Sequence, residues 1–300
     1  MLAISGTSGF VGGYVVNYLR GTGLRYLSLN LREALPSQLP DDVDSVLHLA
    51  GKAHDLKKVA GAEDYFEINT ELTKRLFEVF INSKAKTFIY VSSVKAVADF
   101  VTNKELVESD APNPRTPYGE SKLAAEVFLQ SQILPQGKQL YILRPCMIHG
   151  PGNKGNFNLL YQVVKKGIPW PLGSFENRRS FLSVDNFCFV LDQILMQRLV
   201  PGTYNLADTE SLSTNDLVKL IASELHTNAK ILHVHKGLIK GIACLGDLLP
   251  FPLNSERLEK LTENYVVSNH KLLAALGQPL PVNAELGMRK TIRSFIKTEL

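Results

Sequence analysis

The feature that most constrains this chain is Gly6-Thr7-Ser8-Gly9-Phe10-Val11-Gly12, set between a short apolar run, Leu2–Ser5, and the helix-compatible stretch Gly12–Arg20. Glycines at a strand-to-helix junction allow a tight turn and let backbone N–H groups approach a pyrophosphate. The helix N-terminus adds a favourable dipole for that anion. Gly6, Ser8, Gly9, Phe10, Val11 and Gly12 are therefore candidate dinucleotide-binding residues. The spacing is G-x-x-G-x-x-G, so its place at a strand–helix junction, more than the pattern alone, carries the reading.

The alternation continues. Strand-like runs at Arg25–Leu31, Ser45–Leu49, Thr87–Val91 and Gln139–Leu143 are interleaved with helices expected over Tyr65–Ser83 and Tyr118–Gln132. In the first of these helices Phe66, Leu72, Leu76, Phe77 and Phe80 fall near the 3.6-residue period. Strands separated by helices imply βαβ units with right-handed crossovers, hence an α/β, Rossmann-type doubly wound parallel sheet. Beyond Gly150 the pattern loosens into helices over Asn158–Lys166 and Asp185–Arg198, a strand at Thr203–Leu206, and further helices over Asp216–Leu225 and from Ser255 onward. Residues 1–150, rejoined by 181–208, are expected to form the dinucleotide-binding part, and 151–180 with 209–300 a smaller, mostly helical substrate part.

A chain of 300 residues with 45% apolar and 21% charged residues can bury a core without disulfides or a structural metal. Cys146, Cys188 and Cys244 are far apart and form no C-x-x-C pair, which speaks against a zinc site or a disulfide framework. The formal charge of +4 is dispersed, too weak a footprint for nucleic acid but suited to an anionic small ligand. The stretch most like a membrane span, Leu238–Leu253, is interrupted by Lys240, Asp247, Pro250 and Pro252. Met1–Ile4 carries no basic leader, so a cytoplasmic enzyme is expected.

Tyr118 and Lys122 lie four apart on an expected helix and so share a face. Proton transfer to a sugar oxygen near neutral pH needs a phenol with a lowered pKa, which a nearby ammonium supplies. Such a lysine also reaches a cofactor ribose. Ser93, just past the strand ending at Val91, stands where open α/β sheets bind ligands and is placed to hydrogen-bond the reacting oxygen. Ser92 reads as a structural or cofactor-side hydroxyl. At the end of the second strand Asn30 replaces the acidic residue that would hold the adenosine ribose, and Arg32 follows. Without a carboxylate to repel a 2′-phosphate, Arg32 either pairs with that group or is a solvated loop cation. The balance tilts mildly toward NADP over NAD.

These residues carry a resemblance. Gly6–Gly12, His48-Leu49-Ala50-Gly51, the helix around Asn69, Tyr90-Val91-Ser92-Ser93, Tyr118–Lys122, Leu143-Arg144-Pro145 with Gly150-Pro151-Gly152, and Asn177-Arg178-Arg179-Ser180-Phe181 resemble the extended short-chain dehydrogenase/reductases. Within them the chain is similar to the nucleotide-sugar epimerase, dehydratase and reductase group. The resemblance implies a Rossmann part binding NAD(P), lined also by Leu49, Ala50, Gly51 and Asn69, and a second part binding a UDP- or dTDP-linked sugar. It further implies Tyr118 as acid/base, Lys122 as its ribose-binding partner and Ser93 as the substrate-orienting hydroxyl. Asn156 is implied as a phosphate contact and Arg179 as the diphosphate clamp, with Arg178 competing. Cys146 reads as a packed cysteine and His149 as a turn histidine, both near the site by sequence.

Sugar 4,6-dehydratases resemble one another in an Asp-Glu pair after the catalytic hydroxyl; Val94 and Lys95 stand there instead, which disfavours dehydration. Two reactions remain, a 4-ketoreductase with an exchangeable cofactor and a 4-epimerase that retains NAD. Only about a dozen residues, with Pro36 and Pro40, separate the second strand from Ser45, leaving little room for a helix over the adenosine. With Asn30, this favours the reductase. The stretch Pro171–Ser180 resembles bacterial enzymes of surface-polysaccharide synthesis, implying a UDP-linked 4-keto-6-deoxy-N-acetylhexosamine as substrate. A non-catalytic dinucleotide sensor is the reading from another class. A homodimer through Tyr65–Ser83 and Tyr118–Gln132 is expected, with Val127, Phe128 and Leu129 either at that seam or facing the sheet.

Overall fold

The computed structural model describes residues 1–53, 61–101, 104–153, 156–248 and 254–298. Strands β1 (Leu2–Ser5), β2 (Tyr26–Leu29), β3 (Ser45–His48), β4 (Thr87–Val91), β5 (Gln139–Pro145) and β8 (Gly202–Leu206) form one parallel sheet in the order β2-β1-β3-β4-β5-β8. The chain pairs β2 on one side of β1, then crosses to place β3 on the other. The carboxyl ends of β1 and β3, at Ser5 and His48, are thus the topological switch point, where such sheets bind ligands. Two short strands, β6 (Met147–His149) and β7 (Phe181–Ser183), pair separately in parallel.

Both sheet faces are covered, which is why its strands read as near-continuous apolar runs. On one face Leu2, Ile4, Leu47, Ile89 and Leu143 pack with α1 (Phe10–Thr22) and α6 (Val184–Leu195) through Val15, Leu19, Phe187 and Leu191. On the other face Ala3, Val46, Phe88, Tyr90 and Ile142 pack with α3 (Leu72–Ile81) and α4 (Pro117–Ser131) through Leu76, Phe77, Phe80, Ala125 and Leu129. Within α4, Leu129 and partly buried Phe128 join this core, whereas Val127 faces solvent.

A third cluster lies apart from the sheet. It is built from α5 (Asn156–Lys165), Trp170, Leu172, Phe181, α7 (Thr214–Glu224), α8 (Lys236–Leu248), α9 (Ser255–Thr262) and α11 (Ala284–Thr298), while α10 (His270–Leu276) contributes Leu272 to the first. Among the described residues no helix is long and apolar enough to cross a membrane. The helical half of the Leu238–Leu253 stretch is α8, which its glycines and two lysines hide from periodicity; residues 249–253 lie outside the described residues. The long helix over Tyr65–Ser83 is instead three pieces, α2 (Ala62–Phe66), a π-helical turn at Glu67–Glu71, and α3. The π turn carries Asn69 and Thr70, both buried and turned toward α4.

Candidate functional site

The glycine loop follows β1 directly. Gly6 has φ +79°, and a Cβ there would stand 2.6 Å from the Ala50 amide nitrogen; a Cβ on Gly12 would run into the Gly6 carbonyl. Only glycine lets the loop, the start of α1 and the segment after β3 approach this closely. The Gly9 cap of α1 makes no side-chain hydrogen bond, and the first turn has no acidic residue, so its N–H groups remain open to an anion. Ser8 and Gly9 are exposed on the outer side, and the Phe10 ring reaches the backbone at Gly150. This cradle fits the pyrophosphate of a dinucleotide.

The wall opposite is set by His48. Its ring is buried, with Nδ1 2.6 Å from Ser5 Oγ and Nε2 2.9 Å from Thr73 Oγ1. Thr73 donates to the Asn69 carbonyl and Ser5 accepts from the Ala50 N–H, so the network assigns Nε2 as the protonated nitrogen and Nδ1 as acceptor. Burial, reinforced by the Lys122 charge, pushes the imidazole down to about 3, so the ring is a neutral spacer. Asn69 does not face outward: its amide accepts from the Lys52 N–H at 2.8 Å and donates to the Lys52 carbonyl and Ser121 Oγ. Its place in this structure is to hold the Leu49-Ala50-Gly51 wall against α4.

The three chemical residues meet beside that wall. Ser93 caps a 3-10 turn at Val94–Ala96, accepting from the Lys95 N–H at 3.2 Å. Thr116 caps α4 and Pro117 occupies its first turn, which puts partly buried Tyr118 near the helix start. A Cβ on Gly119 would stand 2.5 Å from the Lys95 carbonyl, so α4 rests directly on the Ser93 turn. Lys122, one helical turn on, is buried and donates to the Val91 carbonyl at 3.0 Å, its Nζ 4.8 Å from the centre of the Tyr90 ring. That Nζ would lie 3.1 Å from a Cβ on Gly51, which places it against the Leu49-Ala50-Gly51 wall.

The electrostatics correct one expectation. Burial pushes the Tyr118 phenol up, and the opposing influence is a hydrogen bond with Ser93, not the Lys122 ammonium. Lys122 is itself pulled down to about 8 by burial, partly offset by Glu126 four residues on. An ammonium committed to a backbone carbonyl and an aromatic face is not the phenol's tuning group in this arrangement.

After β2 no helix occupies residues 30–44; they form turns and loop. Asn30 is exposed and accepts from the Arg32 N–H at 3.4 Å. Arg32 is exposed, and among the described residues no carboxylate pairs with it. On the substrate side the two candidate arginines diverge. Arg178 points outward to the Ser211 carbonyl and Asp216. Arg179 turns inward, donating to the Lys260 carbonyl at 3.0 Å and pairing with Glu263 at 3.3 Å. Asn156 begins α5, but its side chain lies outside the described residues. Val94 is buried, and Lys95 turns to the Asp99 carbonyl and the Tyr265 ring. Cys146 and His149 are both buried, His149 at the end of β6 with Nδ1 on Thr291.

Two positioning residues escaped the sequence. Asp99 accepts from the Arg115 N–H, the Thr116 N–H and the Thr116 hydroxyl, fixing the segment that delivers Tyr118. Gly119 permits the close approach just described. An acidic residue in a loop and a glycine in a helix have no signal of their own, because their partners are distant in sequence.

The chain is 27% identical to the UDP-glucose 4-epimerase of Vibrio cholerae, over 99% of this chain and 95% of that one. It is 25% identical to the GDP-6-deoxy-D-mannose reductase of Pseudomonas aeruginosa, over 77% of this chain and 82% of the relative. The structure of RMD from Pseudomonas aeruginosa complexed with NADPH has the same fold, with a TM-score of 0.74 at 22% identity over 99% of each chain. The match to the NAD dependent epimerase/dehydratase family runs over residues 2–207. That span holds every strand of the sheet together with the glycine cradle and the Ser93–Tyr118–Lys122 cluster, and this chain belongs to that family.

Proposed function

We propose that the protein is an NAD(P)-dependent 4-ketoreductase of a UDP-linked 4-keto-6-deoxy (amino)sugar, in the synthesis of a surface polysaccharide. The observation that carries this reading is the edge after β2, where residues 30–44 form turns and loop with no helix over the bound adenosine. The loop-only adenosine edge, with exposed Asn30 and Arg32, supports a cofactor that exchanges, NADP in preference to NAD.

When bound, the dihydronicotinamide supplies hydride to the C4 carbonyl of the sugar. Tyr118 gives its phenolic proton to the developing C4 alkoxide, and Ser93 donates a hydrogen bond to the same oxygen. Lys122 holds the cofactor ribose from the Gly51 side. The N–H groups of Phe10 and Val11, with Ser8, bind the pyrophosphate, the Gly9 N–H closing the loop onto the Gly6 carbonyl at 3.0 Å, while Leu49, Ala50 and Gly51 form the wall that Asn69 fixes. Arg179, already oriented by Lys260 and Glu263, offers its remaining donors to the sugar-nucleotide diphosphate, with Asn156 a second contact. In this reading residues 1–150 and 181–208 hold the dinucleotide, and 151–180 and 209–300 hold the sugar nucleotide.

A second reading, a 4-epimerase with retained NAD, draws on the full-length similarity to the Vibrio cholerae epimerase. Denaturing the purified protein and identifying any released dinucleotide separates the two. An empty protein that binds NADPH more tightly than NADH, and consumes it with a UDP-4-keto-6-deoxy sugar, is the result expected. Near-stoichiometric NAD overturns the reductase in favour of the epimerase.

A further inference from the structure

The Ser93 turn carries a cation that neither the cofactor cradle nor the proton-transfer cluster uses. The Lys95 amide donates to Ser93 Oγ at 3.2 Å, which ties its backbone to the site hydroxyl. Its Nζ donates to the Asp99 carbonyl at 2.5 Å and stands 4.2 Å from the centre of the Tyr265 ring. Lys95 is half-buried, and among the described residues no carboxylate pairs with it. The Asp99 carboxylate is taken by the Arg115 and Thr116 N–H groups and the Thr116 hydroxyl. An ammonium drawn out of water without a counter-ion carries its charge at a cost, which an incoming anion relieves.

Tyr265 joins this cation to the substrate side. Its N–H donates to the Arg178 carbonyl at 2.8 Å, and its carbonyl accepts from the Ser180 N–H at 2.9 Å. Arg179 is thus bracketed by backbone bonds to the residue whose ring lies under Lys95. The Tyr265 hydroxyl donates to the Ala98 carbonyl at 2.5 Å, which fixes that ring against the Lys95 turn. Burial pushes the Lys95 ammonium down; Glu263 and Asp99 oppose this, and the Arg179 and Lys260 charges add to it. Glu263 is already paired with Arg179 at 3.3 Å, and Lys260 with Glu256 at 2.7 Å. Lys95 and Arg179 therefore share one carboxylate, and both stay partly open to solvent. An ammonium has three donors, of which the Asp99 carbonyl takes one. A fork and a point charge with donors to spare suit an anion of several oxygens.

We propose that Lys95 is a substrate-binding residue, which shares with Arg179 the phosphate next to the sugar. This rests on the reading of the site as one for a nucleoside-diphosphate sugar, with Arg179 at its diphosphate, and not on which reaction occurs at C4. The Lys95 amide holds the hydroxyl at the reacting end of the sugar, and its ammonium serves the phosphate end. One residue thereby sets how the sugar lies between them.

The test is calorimetric titration of the full chain with UDP, UDP-N-acetylglucosamine, uridine and NADPH, at low and high salt. Lys95→Met is expected to weaken UDP and UDP-N-acetylglucosamine alike by about ten- to a hundredfold, the size of a charge-assisted hydrogen bond. Uridine, which has no phosphate, and NADPH should bind as they do to the wild type. UDP affinity should also fall less steeply with salt in the variant, which loss of a merely structural lysine would not cause. Lys95→Arg keeps the charge and should retain most of the UDP affinity. Lys95→Gln keeps a donor without the charge and should behave as the methionine form does, so the test survives a methionine form that folds poorly. Variants that bind UDP like the wild type overturn the proposal. So do variants that lose only UDP-N-acetylglucosamine, since the contact would then be to the sugar, or that lose uridine and NADPH equally, since the lysine would then be structural. A wild type that binds neither uridine diphosphate ligand fails the sugar-nucleotide reading itself, and the proposal with it.

Discussion

The chemistry turns on how Tyr118 and Lys122 are charged, and burial decides it. Tyr118 is pushed toward its protonated form, and only Ser93 draws it back. Tyr118→Phe should lower turnover by about 10²–10⁴-fold with little change in dinucleotide affinity, measured by steady-state kinetics beside a binding titration. Equal turnover would remove Tyr118 from the mechanism. Lys122 bears the opposite consequence of burial. Its folded value, about 8 against an ordinary 10.5, means that the unfolded chain binds the proton more tightly between those values. Stability contributed by this group therefore rises with pH across that window, as the buried ammonium is relieved of its charge. Relative to Lys122→Met, the wild type should gain roughly 3 kcal/mol between pH 7 and pH 11, read from urea denaturation at both. The identities of these residues were legible in the sequence, but the sign of the tyrosine shift was not. Adjacency on a helix suggested that lysine tunes the phenol, whereas the folded lysine is bound to the Val91 carbonyl on a distant strand.

Among the elements, α4 is the one on which the site depends, and two contacts hold it. Its first turn lies on the Ser93 turn because Gly119 has no side chain, and Cβ atoms of alanine would meet the Lys95 carbonyl and Pro114. Gly119→Ala should displace Tyr118 and reduce turnover by about 10²-fold, with dinucleotide affinity preserved because the glycine cradle is untouched. Further along, Glu126 forms a buried ion pair with Arg144 of β5, whose Nη2 lies 2.6 Å from the carboxylate. Glu126→Leu leaves the guanidinium buried and uncompensated and should destabilise the fold by about 3–5 kcal/mol, whereas adding Arg144→Met should restore most of that loss. Chemical denaturation of both variants checks the pair. The helix expected over Tyr118–Gln132 lies within one residue of the observed ends of α4. The π turn before α3 was invisible to periodicity, since it arises where Asn69 and Thr70 are drawn to Ser121 across the helix interface.

For the molecule as a whole, the third core must stay joined to the sheet if substrate and cofactor are to meet. The joint is polar and buried. Asp208, after β8, accepts from the Ser183 N–H and from Asn186, and Asn186 also holds Val282 by both its amide atoms. Arg179 and Tyr265 add backbone bridges across it. The single tryptophan, Trp170, is buried in the third core and reports on it alone. Its emission and far-UV circular dichroism should give coincident unfolding midpoints. A dinucleotide at about 100 times its Kd should move both together, by about 2.7 kcal/mol; a Trp170 transition that stays behind would show the two parts uncoupled. By itself the sequence determined the alternation of strands and helices, the glycine cradle at the first crossover, and the identity of Ser93, Tyr118 and Lys122, because period and turn chemistry are local. Only the tertiary structure decided which arginine turns inward, that Asp99 and Gly119 place the tyrosine, that Asn69 braces a wall, and that Lys95 is left half-buried without a carboxylate. Each of these depends on burial and on partners far along the chain, which no local pattern encodes.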